Sequence, residues 1–146
     1  MLNSKQIGNL TEMECMLAFM RHGFNVLTPY GDCERYDFVA DVNGILIKVQ
    51  VKTSRYKDDL KNSILFSCRS TRKNMTQSRQ VKYTSDEIDY FATYFNGKCY
   101  LVLIEECSSE KTLRFEPPAN GQRIGITFAE DYELEKQITK LKGGSN

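Results

Sequence analysis

Residues 35–54 read RYDFVADVNGILIKVQVKTS, and the dipeptide Asn43-Gly44 at their centre decides how the stretch folds. Asn-Gly favours a two-residue type I′ turn, and the alternation on both sides predicts a β-hairpin. So short a turn fixes the register: Val42 faces Ile45, Ala40 faces Ile47, Phe38 faces Val49 and Asp37 faces Gln50. Successive strand residues point to opposite faces. One face therefore carries Phe38, Ala40, Val42, Ile45, Ile47, Val49 and Val51. The other carries Asp37, Val39, Asp41, Leu46, Lys48, Gln50 and Lys52.

An acid, an amide and an amine thus converge at the open end of one face, with direct cross-strand neighbours about 5 Å apart at Cβ. A carboxylate beside an amide oxygen suits a hard divalent cation, and an ammonium two residues along can hold an anionic oxygen or a water. That is the equipment of a phosphodiester-cleaving site. The competing reading is the solvated face of an amphipathic hairpin. Against it, Lys48, Gln50 and Lys52 alternate with β-branched residues on what reads as an interior strand, where unpaired charge is costly.

The remaining composition narrows the classes. A chain of 146 residues supports one domain with its own core. The net charge of +1 conceals segregation. Arg69, Arg72, Lys73, Arg79 and Lys82 fall in a stretch with no acid, and setting that +5 aside leaves −4 for the rest. A surface for an anionic partner is the expectation. The five cysteines form no CxxC pair and predict free thiols in a reducing cytoplasm. No signal-like start and no apolar run near membrane-spanning length is present, so neither secretion nor a membrane is expected.

Along the chain, Leu10, Met13, Met16, Leu17 and Met20 at helical spacing predict a helix over Met1–Gly23, with Ser4 or Asn9 as cap and Gly23 as stop. Glu12 and Glu14 lie on it, and either one can reach the hairpin's polar face or stay solvated. The single His22 excludes sites that need a histidine pair or a His-Cys zinc cluster. Phe24–Thr28 reads as a strand closed by the turn Pro29–Asp32, and Asn62–Ser67 as another. Cys68–Thr84 has no convincing period. It reads as a solvated loop, or as one that orders on a duplex using its five basic residues and its hydroxyl and amide groups. Ile88–Phe95 and Cys99–Ile104 around Asn96-Gly97 predict a second hairpin, its aromatic residues core rather than stacking platforms. Asp89 reads as structural. Leu113–Phe115 is a short strand, and Glu130–Leu141 a closing helix before Gly143-Gly144.

Glu12 in GNLTEMEC, Asp37 in ERYDFVAD, and Gln50 and Lys52 in KVQVKTS together resemble the active-site pattern of the PD-(D/E)XK nuclease superfamily. Order and spacing are most similar to its bacterial group I intron homing endonuclease branch, in which a glutamine replaces the acid before the lysine. Two departures are the short Asn43-Gly44 hairpin and Tyr36 in place of proline before Asp37. The resemblance implies a restriction-endonuclease-like α/β core, a mixed central β-sheet with flanking helices, in a single nuclease domain over residues 1–146. It implies that Asp37, Gln50 and Glu12 bind Mg²⁺ or Mn²⁺, with Glu14 as the alternative helix acid, and that Lys52 orients the attacking water. The substrate would be double-stranded DNA, cut by a homodimer or homotetramer because two strands need two sites. Arg69, Arg72, Lys73, Arg79 and Lys82 are the candidate DNA contacts, with Arg55 and Lys57 in addition. The alternatives are a catalytically weak or inactive DNA-binding module and a Holliday-junction-type nuclease. A cysteine nucleophile at Cys33 or Cys68 lacks a histidine partner in the pattern.

Overall fold

The structure, a computed structural model, describes residues 1–73 and 76–143, without the side chains of Arg72, Lys73 and Lys142. The proposed contacts of Arg72 and Lys73 and the stop at Gly144 therefore lie outside the described parts.

The first helix, α1 (Ser4–Arg21), starts at neither expected cap. Asn3 is the N-cap: its side chain accepts from Gln6 N at 2.9 Å, while Gln6 Oε1 accepts from Asn3 N at 2.9 Å. This reciprocal capping box satisfies two donors that a helix start leaves orphaned. At the other end Gly23 takes φ +82°, with Gly23 N bonded to Met20 O and Phe24 N to Phe19 O. That Schellman closure is what the glycine permits.

Strand β1 (Asn25–Leu27) leads to β2 (Phe38–Val42) and β3 (Ile45–Val51), joined by the expected turn. Asn43 and Gly44 have φ of 54° and 92°, as a type I′ turn requires. The register is the predicted one, with Phe38 opposite Val49, Ala40 opposite Ile47 and Val42 opposite Ile45. The chain continues through β4 (Arg55–Tyr56), β5 (Ser63–Ser67), β6 (Arg69–Lys73), β7 (Ser78–Lys82), β8 (Tyr90–Phe95), β9 (Lys98–Leu103) and β10 (Glu110–Arg114) to α2 (Leu134–Gly143). A five-stranded mixed sheet runs β1-β2-β3-β8-β9, with β3 and β8 parallel and the other pairs antiparallel. A three-stranded sheet, β10-β5-β4, stands apart from it.

Two cores sit on the two sides of the large sheet. Phe38, Ala40, Val42, Ile47 and Val49 pack with Cys15 and Phe19 of α1 and with Leu134 and Ile138 of α2. Phe19 meets Phe38 edge-on at 5.5 Å, and burying each such ring contributes about 1.5–3 kcal/mol. Phe91, Tyr100 and Val102 pack instead against Ile64, Phe66 and Leu113 of the small sheet. Helices on one face and a second sheet on the other make the α/β core that the sequence implied.

Three local readings need correction. Cys68–Thr84 is not a loop: β6 and β7 form an antiparallel ribbon, Arg69 opposite Lys82 and Arg72 opposite Arg79. Both of its faces are polar, so no hydrophobic alternation betrays it. The buried side of α1 is Thr11, Cys15 and Phe19, while Leu10, Met13, Leu17 and Met20 are 51, 62, 37 and 52 % exposed. The closing helix is interrupted at Glu133, which bridges to Tyr100 and accepts a 2.7 Å bond from Lys98, so a short 3-10 turn at Ala129–Tyr132 precedes α2.

Candidate active site

Asp37 lies one step beyond the β2–β3 ladder. Its N–H donates to Val49 O at 2.8 Å, and its Oδ2 accepts from Val51 N at 2.8 Å. These two bonds bracket Gln50 and hold Asp37 across from it, as the turn requires. Burial pushes the Asp37 carboxyl above its ordinary range, against the opposing pull of the Val51 N–H and the Lys52 charge. The Lys52 charge therefore acts on the same carboxylate.

Glu12 comes from α1. The N-terminal part of that helix runs past the end of β3, where a Cβ placed on Gly8 would lie 4.0 Å from Thr53 Oγ1. The Glu12 carboxyl is also raised, first by burial and then by the negative charge of Asp37. Glu14, the alternative acid, turns to a cleft between the helices lined by Arg21, His22, Lys98 and Glu133. His22 lies 3.2 Å from Glu135, far down the same helix from Glu12.

Lys52 closes the group. Its N–H bonds to Ala92 O at 2.8 Å, and its Nζ donates to Arg69 O at 3.0 Å and lies 5.0 Å from the centre of the Tyr83 ring. The base of the basic ribbon is thus in contact with the site. Gln50 donates one long bond, Nε2 to Val51 O at 3.5 Å, and no donor to its Oε1 occurs among the described residues.

The donor set fits a hard divalent cation. Two carboxylates, each raised by burial, stand close enough that the charge of Asp37 raises Glu12, and Gln50 sits across the strands from Asp37; positive charge relieves that repulsion. Among the described residues no group of three or more His, Cys, Asp or Glu gathers elsewhere or here. The site is a two-carboxylate one, completed by a neutral oxygen.

A family model described as PD-(D/E)XK endonuclease matches residues 2–135. The chain belongs to the PD-(D/E)XK endonuclease family. Its fold is similar to the solved structure of a bacterial homing endonuclease, I-Ssp6803I, with a TM-score of 0.78 and 25 % identity, covering 99 % of this chain and 98 % of that one. The comparison with curated proteins finds no match. PD-(D/E)XK nucleases generally use divalent metals, in keeping with the oxygen donors assembled here.

The other polar residues sort plainly around this candidate site of the PD-(D/E)XK chain. Lys48 and Asp89 are structural: Asp89 Oδ2 accepts from Lys48 N at 2.8 Å, and Lys48 Nζ donates to Asp86 O. Tyr36 packs against the second core. All five cysteines are free; Cys33 is exposed and Cys68 buried. A bond to Cys107 and the nearby Lys52 and Lys111 lower the Cys68 thiol despite its burial, but no histidine adjoins it to act as base. On the ribbon, Arg79 and Lys82 are exposed, and Arg69 Nε is buried without a hydrogen-bond partner among the described residues. Arg55 and Lys57 are exposed at the neighbouring sheet edge.

The sequence reading missed Arg35, Tyr83, Ser70 and Glu87, which join the ribbon to the site. Adjacency of Arg35 to the motif was the one available signal.

Proposed function

We propose that this chain is a metal-dependent DNA endonuclease that hydrolyses phosphodiester bonds in double-stranded DNA at a specific sequence, as a homing endonuclease does, within one domain and in the cytoplasm. The observation that carries the reading is the meeting of Glu12, Asp37 and Lys52 at the base of a basic ribbon.

Asp37, Glu12 and the Gln50 amide oxygen would hold Mg²⁺ or Mn²⁺. Such a cation, when bound, offsets charge developing on a scissile phosphate and eases ionisation of water. Lys52 presents an ammonium beside the carboxylates, able to donate to a water or to a phosphate oxygen. The ribbon supports the choice of a polyanionic duplex: Arg69 stands opposite Lys82 in the register of its two strands. Like charges in direct opposition are unfavourable until an anion lies between them. Arg69, Arg72, Lys73, Arg79 and Lys82, with Arg55 and Lys57 beside them, would contact phosphates.

Two strands require two centres, and α1 offers a seam for a second copy. Leu10, Met13, Leu17 and Met20 are exposed at the 3-4-3 spacing with which paired helices interlock. A homodimer through this row, or a homotetramer of such dimers, follows. No helix among the described residues is long and apolar enough to cross a membrane.

Incubation of the purified protein with a plasmid library of random inserts, in Mg²⁺ and separately in Mn²⁺, tests the proposal. Linear product enriched for one motif, and lost in Asp37→Asn, is the expected result. Binding without cleavage across the library in both metals would leave the DNA-binding module instead.

A further inference from the structure

Arg35 lies two residues before Asp37, and both terminal nitrogens of its guanidinium are engaged. Nη1 donates to Lys82 O at 3.1 Å and to the Glu87 carboxylate at 3.1 and 3.3 Å, and Nη2 donates to Ser70 Oγ at 2.6 Å. Its central carbon lies 3.9 Å from the centre of the Tyr83 ring, and the side chain is only 16 % exposed. Glu87 is itself fixed by Thr84, whose N–H and Oγ1 both donate to Oε1.

Tyr83 is the shared element. It is 6 % exposed and stands edge-on to Phe91 at 5.4 Å, while the Lys52 ammonium lies 5.0 Å from the same ring that Arg35 covers. That ammonium donates to Arg69 O, at the first residue of β6. Both ends of the ribbon's base, Arg69-Ser70 and Lys82-Tyr83, are therefore pinned by residues that flank Asp37 and Gln50 in sequence. Among the described residues the Tyr83 hydroxyl makes no hydrogen bond, so what it contributes is its ring. Cation–π attraction is worth most where water is excluded, and one ring here serves two cations.

We propose that Arg35 and Tyr83 are positioning residues for Lys52, making the seating of the basic ribbon and the placement of the ammonium a single arrangement. A duplex that seats the ribbon correctly then leaves Lys52 at its carbonyl and ring. One that displaces the ribbon withdraws both supports, so discrimination between sequences appears in the rate of cutting more than in binding. The proposal rests on the nuclease reading for its consequence, but the arrangement itself can be observed in the protein alone.

Two measurements test it. In metal-free protein with ¹³C-labelled lysine, the Hε resonances of Lys52 should be shifted upfield by the ring in wild type and Tyr83→Phe, and return to ordinary positions in Tyr83→Leu and Arg35→Ala. At saturating DNA, single-turnover cleavage should fall about 10²-fold in Tyr83→Leu and Arg35→Ala, the size expected of a reacting group displaced by about 1 Å. Tyr83→Phe should stay near wild type and DNA dissociation constants should move by less than about fivefold. Arg35→Lys, which keeps charge and bulk but loses the fork, should fall in between and serves if Arg35→Ala does not fold. Unchanged Lys52 shifts with wild-type rates in Tyr83→Leu overturn the proposal. If the shifts behave as expected but wild type cuts no DNA, the positioning stands and the nuclease reading falls.

Discussion

Gln50→Glu tests the geometry of the site without relying on turnover. The side chains are nearly isosteric, and the one bond lost, Nε2 to Val51 O at 3.5 Å, is too long to matter. What changes is charge. The bonds from Asp37 N to Val49 O and from Val51 N to Asp37 Oδ2 place Asp37 opposite residue 50, so the two Cβ atoms stand about 5 Å apart, which sets the scale for the separation of the two charges. At that separation the repulsion is about 3 kcal/mol with an effective dielectric near 20, and about 0.8 kcal/mol with water-like screening. Glu12, already repelled by Asp37, adds to it. Urea unfolding in EDTA at neutral pH should show a loss between these limits. The new pair's carboxyl pKa values are raised on folding, so the penalty is present at neutral pH and disappears as acidification protonates one partner. Bound Mg²⁺ relieves the same repulsion, so its dissociation constant, read by calorimetry, should tighten by up to about 10²-fold at about 1.4 kcal/mol per decade. A variant as stable as wild type in EDTA, with metal affinity changed less than twofold, would refute the placement of residues 37 and 50 around a common point.

Lys52→Met should lower single-turnover cleavage by about 10²–10⁴-fold while DNA affinity in a gel-shift assay stays within about threefold; a rate near wild type would remove Lys52 from the chemistry. Since Glu12 and Asp37 are both raised, cleavage at fixed Mg²⁺ should climb with pH as they ionise, and Glu12→Gln, which removes the carboxyl that the Asp37 charge raises, should shift the acid limb of the residual activity to lower pH. The same shifts mean that the folded metal-free protein holds protons the unfolded chain has released. Stability in EDTA is therefore lost as pH rises through the raised values, and Glu12→Gln should lose less. Met13→Glu with Leu17→Glu should reduce the sedimentation coefficient to that of a smaller species, and an unchanged value would place the partner elsewhere.

The hairpin was legible because its turn has one chemistry: Asn43 and Gly44 alone set the register, and the register alone opposes Asp37 to Gln50. The ribbon was not, because neither of its faces is apolar and its place is dictated by Arg35, distant in sequence from Ser70 and Lys82. The α1 row of Leu and Met announced a helix but not its buried side, which is Thr11, Cys15 and Phe19, while Leu10, Met13, Leu17 and Met20 are exposed. Glu12 could be named but not distinguished from Glu14 until the helix had a rotation.

The parallel pairing of β3 with β8 also orders events in time. Asp37 and Gln50 are brought together by a local hairpin, which closes in about 1–10 μs. The backbone support for Lys52, at Ala92 O, and the pairing of Val49 with Tyr90 wait until the whole intervening chain, basic ribbon included, has been looped back. Long-range closures of this kind are slow. The hairpin therefore sets Asp37 beside Gln50 before the amine of Lys52 gains its backbone support, and the pair waits on the closure of the last long loop.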